Sequence, residues 1–292
     1  MTFKKIMIST LAIALSMTLA SGVFAATTAK KKSAKKSTKK AASYSSENKV
    51  AEGLNVSGRT GLLLSESAQA PEKGKFGLAG HLLFMTSSMS ESAYGYDVKS
   101  STTNIQVPVG VSYGVAKNFE LGASLDFISA SSSYEVNGVE VGDSESTSGL
   151  GDLTFGGKYV IEGKNSPVNF GFGADVEIGP LSSDFGDSST TFIPKGMVTY
   201  AKDSLLLNGN LNLVIPGAEG ADTFVQVGAG AGLALSPKLT GIAELGLNGF
   251  GKEASVLGVG IRTAGKTKLQ ALLGIGIGDA SPDFVLGAGV CF

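Results

Sequence analysis

Residues 119–128 read Phe-Glu-Leu-Gly-Ala-Ser-Leu-Asp-Phe-Ile and alternate almost without error. Phe119, Leu121, Ala123, Leu125 and Phe127 fall on one face, and Glu120, Gly122, Ser124 and Asp126 on the other. A period of two is the pattern of a β-strand with an apolar and a polar side. Eleven further segments repeat it, so the fold turns on which side faces inward.

In a soluble sandwich the apolar faces meet in a core, whereas in a membrane barrel they face lipid and small or polar residues face the lumen. The strands favour the barrel. Val168, Phe170, Phe172, Ala174, Val176 and Ile178 share one face, while Asn169, Gly171, Gly173, Asp175 and Glu177 share the other. A soluble strand rarely keeps carboxylates opposite so continuous an apolar row. The twelve candidates cover residues 75–86, 103–115, 118–128, 150–161, 168–178, 191–200, 205–215, 223–235, 239–248, 254–262, 268–277 and 283–292. Each has about ten residues, enough to cross a bilayer when tilted.

The connections alternate in kind. Short turns fall at 116–117, 162–167, 201–204, 236–238 and 263–267. Longer Ser-, Asp- and Gly-rich loops are expected at 87–102, 129–149, 179–190 and 216–222, and two shorter outer ones near 250–253 and 278–282. Bacterial barrels keep short turns on the periplasmic side and longer loops outside. Phe76, Tyr113, Phe119, Tyr159, Phe170, Tyr200 and Phe292 then lie near the periplasmic ends on the outward face, the depth that amphipathic rings favour. The outward-facing terminal Phe292 reads as the membrane-insertion signal presented to a barrel-assembly machinery.

The start of the chain supports export. Lys4 and Lys5 precede an apolar run to about Leu19 and then Val23-Phe24-Ala25, so residues 1–25 read as a cleaved signal peptide. Residues 26–49 carry Lys30, Lys31, Lys32, Lys35, Lys36, Lys39 and Lys40 among Ala, Ser and Thr, a composition that stays disordered. This arm is either a solvated linker or a contact for anionic partners such as peptidoglycan or lipid phosphates. Residues 50–74 contain Gly58, Arg59, Gly61 and Leu62-Leu63-Leu64 and could form a strand. A chain whose two ends share the periplasm needs an even number of spans, so this segment is assigned to the lumen inside the barrel mouth or to the periplasmic rim, and 75–292 to the barrel.

The predicted lumen carries Glu120, Asp126, Asp152, Asp175, Glu177, Glu244 and Asp283 against Lys158, Lys195, Arg262 and Lys268. These seven acids and four bases either bias ion passage toward cations or pair into a network that plugs the barrel. The only histidine, His81, also faces the lumen, and nothing near it in sequence forms a catalytic set. No catalytic residue, cofactor or metal site is expected. The runs 228–232 and 274–278 place glycine on alternate positions but lack dinucleotide-binding spacing, so they mark an inward face where side chains compete for room. The single Cys291 has no resolving thiol and reads as a small strand residue. Net charge is −1 and there is no basic field of the kind nucleic acid requires.

Residues 108–127, Pro-Val-Gly-Val-Ser-Tyr-Gly-Val-Ala-Lys-Asn-Phe-Glu-Leu-Gly-Ala-Ser-Leu-Asp-Phe, and 149–161, Gly-Leu-Gly-Asp-Leu-Thr-Phe-Gly-Gly-Lys-Tyr-Val-Ile, resemble a known group. The chain is similar to the outer-membrane barrel family named for the meta-pathway of phenol degradation, and the likeness spreads loosely over residues 62–292. The resemblance implies a transport channel. The lysine arm is outside that pattern.

The expectation is therefore an all-β, transmembrane antiparallel barrel in the outer membrane of a Gram-negative cell, acting as a narrow passive channel for small molecules, hydrophobic or aromatic ones included. The alternative is a closed structural barrel tethered to the cell wall by the arm.

Overall fold

The computed structural model describes residues 50, 53–93, 96–142, 144–185, 188–248, 254–278 and 281–292. The expected signal peptide, the lysine arm and the turn at 250–253 lie outside the described residues. Two short strands, β1 (Gly53–Leu54) and β2 (Thr60–Gly61), pair with each other. Then come β3 (Phe76–Ala93), β4 (Tyr96–Ala116), β5 (Phe119–Val136), the two-residue β6 (Val139–Glu140) and β7 (Glu145–Glu162). They are followed by β8 (Val168–Gly179), β9 (Ser189–Lys202), β10 (Leu205–Pro216) and β11 (Phe224–Ser236). The chain finishes with β12 (Leu239–Leu247), β13 (Ser255–Thr263), β14 (Lys268–Ile277) and β15 (Phe284–Cys291).

Leaving aside β1, β2 and β6, each long strand pairs antiparallel with the next, and β15 pairs with β3, where Leu286 stands opposite Phe84. That last pairing closes a twelve-stranded antiparallel barrel. Through the body of the barrel, closure leaves no edge strand among the described residues, the condition for sheet structure in lipid.

Alternation decides the two faces as expected. Leu121, Phe127, Phe172, Leu211, Leu273 and Phe292 are exposed on the outside, while Glu120, Ser124, Asp175, Asn210, Leu272 and Cys291 are buried within. The outward aromatics follow the short-turn ends of neighbouring strands. Phe76 stands opposite Tyr113 and Phe119 opposite Tyr159, and the Tyr159 and Phe172 rings lie 5.6 Å apart. This belt covers the arc from β15 through β3 to β9. On the rest of the ring the same depth is filled by aliphatic residues such as Leu235, Ile261 and Leu269.

Two expected loops are strand instead. β3 and β4 have 18 and 21 residues and continue as paired strands over 87–93 and 96–102, with Ser88 opposite Ser101 and Ser92 opposite Asp97. β5 and β7, of 18 residues each, likewise run through most of 129–149. Serine-rich composition resembles a loop, but interleaved Thr, Val and Tyr fit a pleated surface, and backbone pairing needs no apolar side chain. The result is a wall of four strands that extends past the rest of the barrel on the long-connection side.

Candidate functional site in the barrel lumen

The lumen is occupied by the chain's own residues 53–71. The segment folds on itself before it meets the wall. The Asn55 side chain accepts bonds from Arg59 N at 2.8 Å and from Ser57 Oγ at 3.0 Å, closing a turn in which Gly58 has φ 71°. A second turn is held by Leu62 N donating to Ser65 O at 3.0 Å, and Ser67 N reaches back to Thr60 O at 3.0 Å. Neither turn has a period, so neither can join the sheet. Together they make a compact plug.

Every barrel strand but β4 supplies a residue that bonds to this plug or packs in the same cluster, and β4 meets it through Gly110 against Gly58. The electrostatic part is a row of alternating charge. Arg59 Nη2 lies 2.6 Å from Asp175 Oδ1, Lys195 bonds the other Asp175 oxygen, and Lys195 Nζ is 2.7 Å from Glu66 Oε2. Glu66 Oε1 then lies 3.5 Å from Lys158, whose Nζ is 3.0 Å from Glu120 Oε2. Glu120 returns to the plug by accepting from Thr60 N at 3.1 Å and Thr60 Oγ1 at 3.0 Å. Each buried charge thus has an opposite neighbour, the condition under which burial of ions is tolerated. Burial pushes the Glu66 carboxyl up, but the ammonium groups of Lys195 and Lys158 outweigh it and hold Glu66 below the usual carboxylate range.

Across the lumen the wall contributes acceptors and donors to plug backbone. Glu244 accepts from the N–H groups of Leu63, Leu64 and Ser65 at 3.0, 2.9 and 2.8 Å and from Ser65 Oγ at 2.9 Å. Arg262 Nη1 donates to Gly61 O at 2.8 Å, and Lys158 Nζ to Ser67 O at 2.8 Å. Arg262 is also bonded by Gln270, which contacts His81 Nδ1 at 3.0 Å. These contacts satisfy backbone groups that would otherwise be stranded away from water.

The apolar contacts explain part of the glycine pattern. Leu62 and Leu63 are completely buried, clustered with Val50, Leu83, Leu206, Ile242 and Leu272. A Cβ on Gly287 would lie 2.6 Å from Leu63 Cδ2, and one on Gly230 would lie 2.9 Å from Leu62 Cδ1. Gly230 and Gly287 therefore make room for plug leucines, while Gly228 and Gly274 stand against the wall side chains of Asn210 and Val256, the crowding that the sequence suggested. On the opposite wall a Cβ at Gly110 would sit 2.6 Å from the Gly58 Cα.

Between the plug and the long-connection rim lies a cavity of about 650 Å³. Its floor is plug, with Asn55, Val56, Ser57, Leu64 and Glu66. One side of its wall is polar and acidic, with Asp126, Asp152, Asp175 and Glu177 on β5, β7 and β8 and Asn210 and Asn212 on β10. The wall also carries Leu83, Met85, Val214, Phe224, Ala254 and Pro282, interleaved with Ser87, Thr102, Asn104, Gln106 and Gln226.

The structure thus sorts the predicted lumen residues into three groups. Glu120, Lys158, Asp175, Lys195, Glu244, Arg262 and His81 are buried at the level of the plug, with Asp175 and Lys195 also reaching the cavity. Asp126, Asp152 and Glu177 line the cavity. Lys268 and Asp283 stand near opposite ends of the barrel: Lys268 faces Cys291 at the short-turn end, and Asp283 Oδ2 accepts from Ser88 Oγ at 2.6 Å at the other. The residues that sequence reading did not assign are Arg59, Glu66, Leu62 and Leu63 of the plug. The excess of wall acids was a signal for Arg59 alone; Glu66, Leu62 and Leu63 had none.

A search of curated proteins finds no match to the sequence. Among solved structures, an outer membrane channel from Pseudomonas putida F1 is 16% identical with a TM-score of 0.49, covering 77% of this chain and 97% of its own. The Ralstonia pickettii toluene transporter TbuX is 10% identical with a TM-score of 0.41 (76% and 89%), and the Pseudomonas putida toluene transporter TodX is 9% identical with a TM-score of 0.40 (84% and 96%). The model of the family described as "Putative MetA-pathway of phenol degradation" matches residues 87–292, from the first long hairpin to the closing strand. With that match extending over more than half of its length, the chain belongs to this family.

Proposed function

We propose that the protein is a bacterial outer-membrane channel for the passive entry of small molecules, apolar and aromatic ones included, with the plug as its gate. The observation that carries this reading is the 650 Å³ cavity, which ends on the plug and has apolar residues in its wall. The long-connection end faces the exterior and the short turns face the periplasm, the usual arrangement of bacterial barrels. Twelve strands give a bore between filled eight-stranded barrels and open porins. The signal peptide delivers the chain across the inner membrane, Phe292 is read during barrel assembly, and the lysine arm meets anionic polymer or phosphate in the periplasm.

The buried charge row favours a second reading, a closed barrel with a structural task. Planar-bilayer recordings and liposome-flux assays on the native protein and on a variant lacking residues 53–71 separate the two. The channel reading expects low, intermittent conductance from the native protein and larger steady conductance from the deletion. Silence from both, with β-type circular dichroism intact, overturns it and supports the structural reading.

A further inference from the structure

We infer that the outer cavity is a binding site for small organic ammonium ions that carry an apolar body. This inference deepens the channel reading and rests on it by naming what that vestibule selects. Three carboxylates, Asp126, Asp152 and Glu177, stand on adjacent strands at one level of the wall and carry no ion pair among the described residues. Their charges act on one another, so they form one field. Carboxylates gathered in a low-dielectric cleft concentrate cations there.

A second observation points to a ligand that donates hydrogen bonds. The side-chain oxygens of Asn210 and Asn212, which also line the cavity, are buried without a partner among the described residues, and Asn210 is only 9% exposed. The Asn212 amide is oriented by its Nδ2 donating to Gln226 at 3.4 Å, which leaves the oxygen as an unfilled acceptor. Carboxylates and amide oxygens together present acceptors, and an ammonium group supplies three donors and no acceptor.

Among the described residues no three His, Cys, Asp or Glu side chains are placed to hold a metal ion. The wall also carries the apolar Leu83, Met85, Val214 and Phe224 among its polar residues. A cavity of this volume falls within the range of small-molecule pockets, roughly 300–1,000 Å³. An aryl- or alkyl-ammonium places its charge against the acids and its body against these apolar residues.

The test is calorimetric titration of the purified, detergent-folded full chain with 2-phenylethylammonium and with its neutral analogue 2-phenylethanol. Saturable ammonium binding is expected, at least about tenfold tighter than the alcohol, and D126N/D152N/E177Q is expected to remove that preference. The ammonium affinity of the native protein should also fall as salt rises from about 50 to about 500 mM, a readout that needs no variant. Equal affinity for the two compounds, or a preference kept by the triple variant with native β-type circular dichroism, overturns the inference. Flux through the plug-deleted barrel is measured on the same preparations. Ammonium preference without flux sinks the channel reading and leaves the site standing, while flux without preference sinks the site alone.

Discussion

Arg59 and Asp175 are 116 residues apart in sequence and 2.6 Å apart in space, and their pairing fastens the plug to β8. The Arg59 side chain is fully buried, so nothing from solvent can replace the carboxylate as its partner. Arg59→Met keeps much of the volume and removes the charge, leaving Asp175 with Lys195. Breaking one partner out of a buried ion network costs about 3–5 kcal/mol. Limited proteolysis should then cut within residues 53–71 while the barrel stays intact; unchanged protection would show that the pair does not hold the plug.

Glu244 gathers three consecutive backbone N–H groups of the plug. Glu244→Leu removes the acceptor and leaves those donors buried, at about 1–3 kcal/mol for each group stranded. Amide hydrogen exchange at residues 63–65 should accelerate by at least about tenfold, with wall amides on β12 unaffected. Acceleration spread evenly over β12 would instead mean that the substitution loosens the wall.

Gly58 and Gly110 touch backbone to backbone. Gly110→Leu would drive its side chain through the Gly58 Cα, so the plug must leave or shift. Steady conductance close to that of the plug-deleted barrel is the expected outcome in planar bilayers. Gly58→Ala meets Ala123 O at 2.5 Å and adds strain from its φ of 71°, so it should act in the same direction.

Leu211 and Asn212 are neighbours in sequence with opposite surroundings. Leu211→Arg puts a charge into lipid near the middle of β10 and should cost about 2–4 kcal/mol in urea titrations of folding into vesicles. Asn212→Arg faces the acidic cavity and should cost much less. Similar losses for both would contradict the assignment of faces.

Strand positions and faces were legible because alternation is local: Leu121 and Glu120 declare their sides without reference to any other strand. The ion pair between Glu120 and Lys158 was half legible, since the two stand directly opposite on β5 and β7. The plug was not. Arg59 finds Asp175, and Leu63 finds Gly287 and Glu244, only because the stagger of the closed ring brings those wall positions to the same height as the two turns. No residue spacing along the chain encodes that height. The long hairpins were missed for a different reason, since serine is neutral evidence until a partner strand is known to lie beside it.

The plug and β3 are one continuous stretch of chain, and the few residues between them are fixed at the short-turn rim, where Gly74 N donates to Gly114 O at 2.7 Å and Gly114 N to Lys75 O at 2.9 Å. A plug that leaves its seat therefore stays on its leash. Its local concentration at the vacated lumen is on the order of millimolar, as for any short tether, so recapture does not depend on how much protein is present. The dwell time of an open state is then set by the leash, and the dwell time of the closed state by how fast the charge row around Arg59 and Glu66 comes apart.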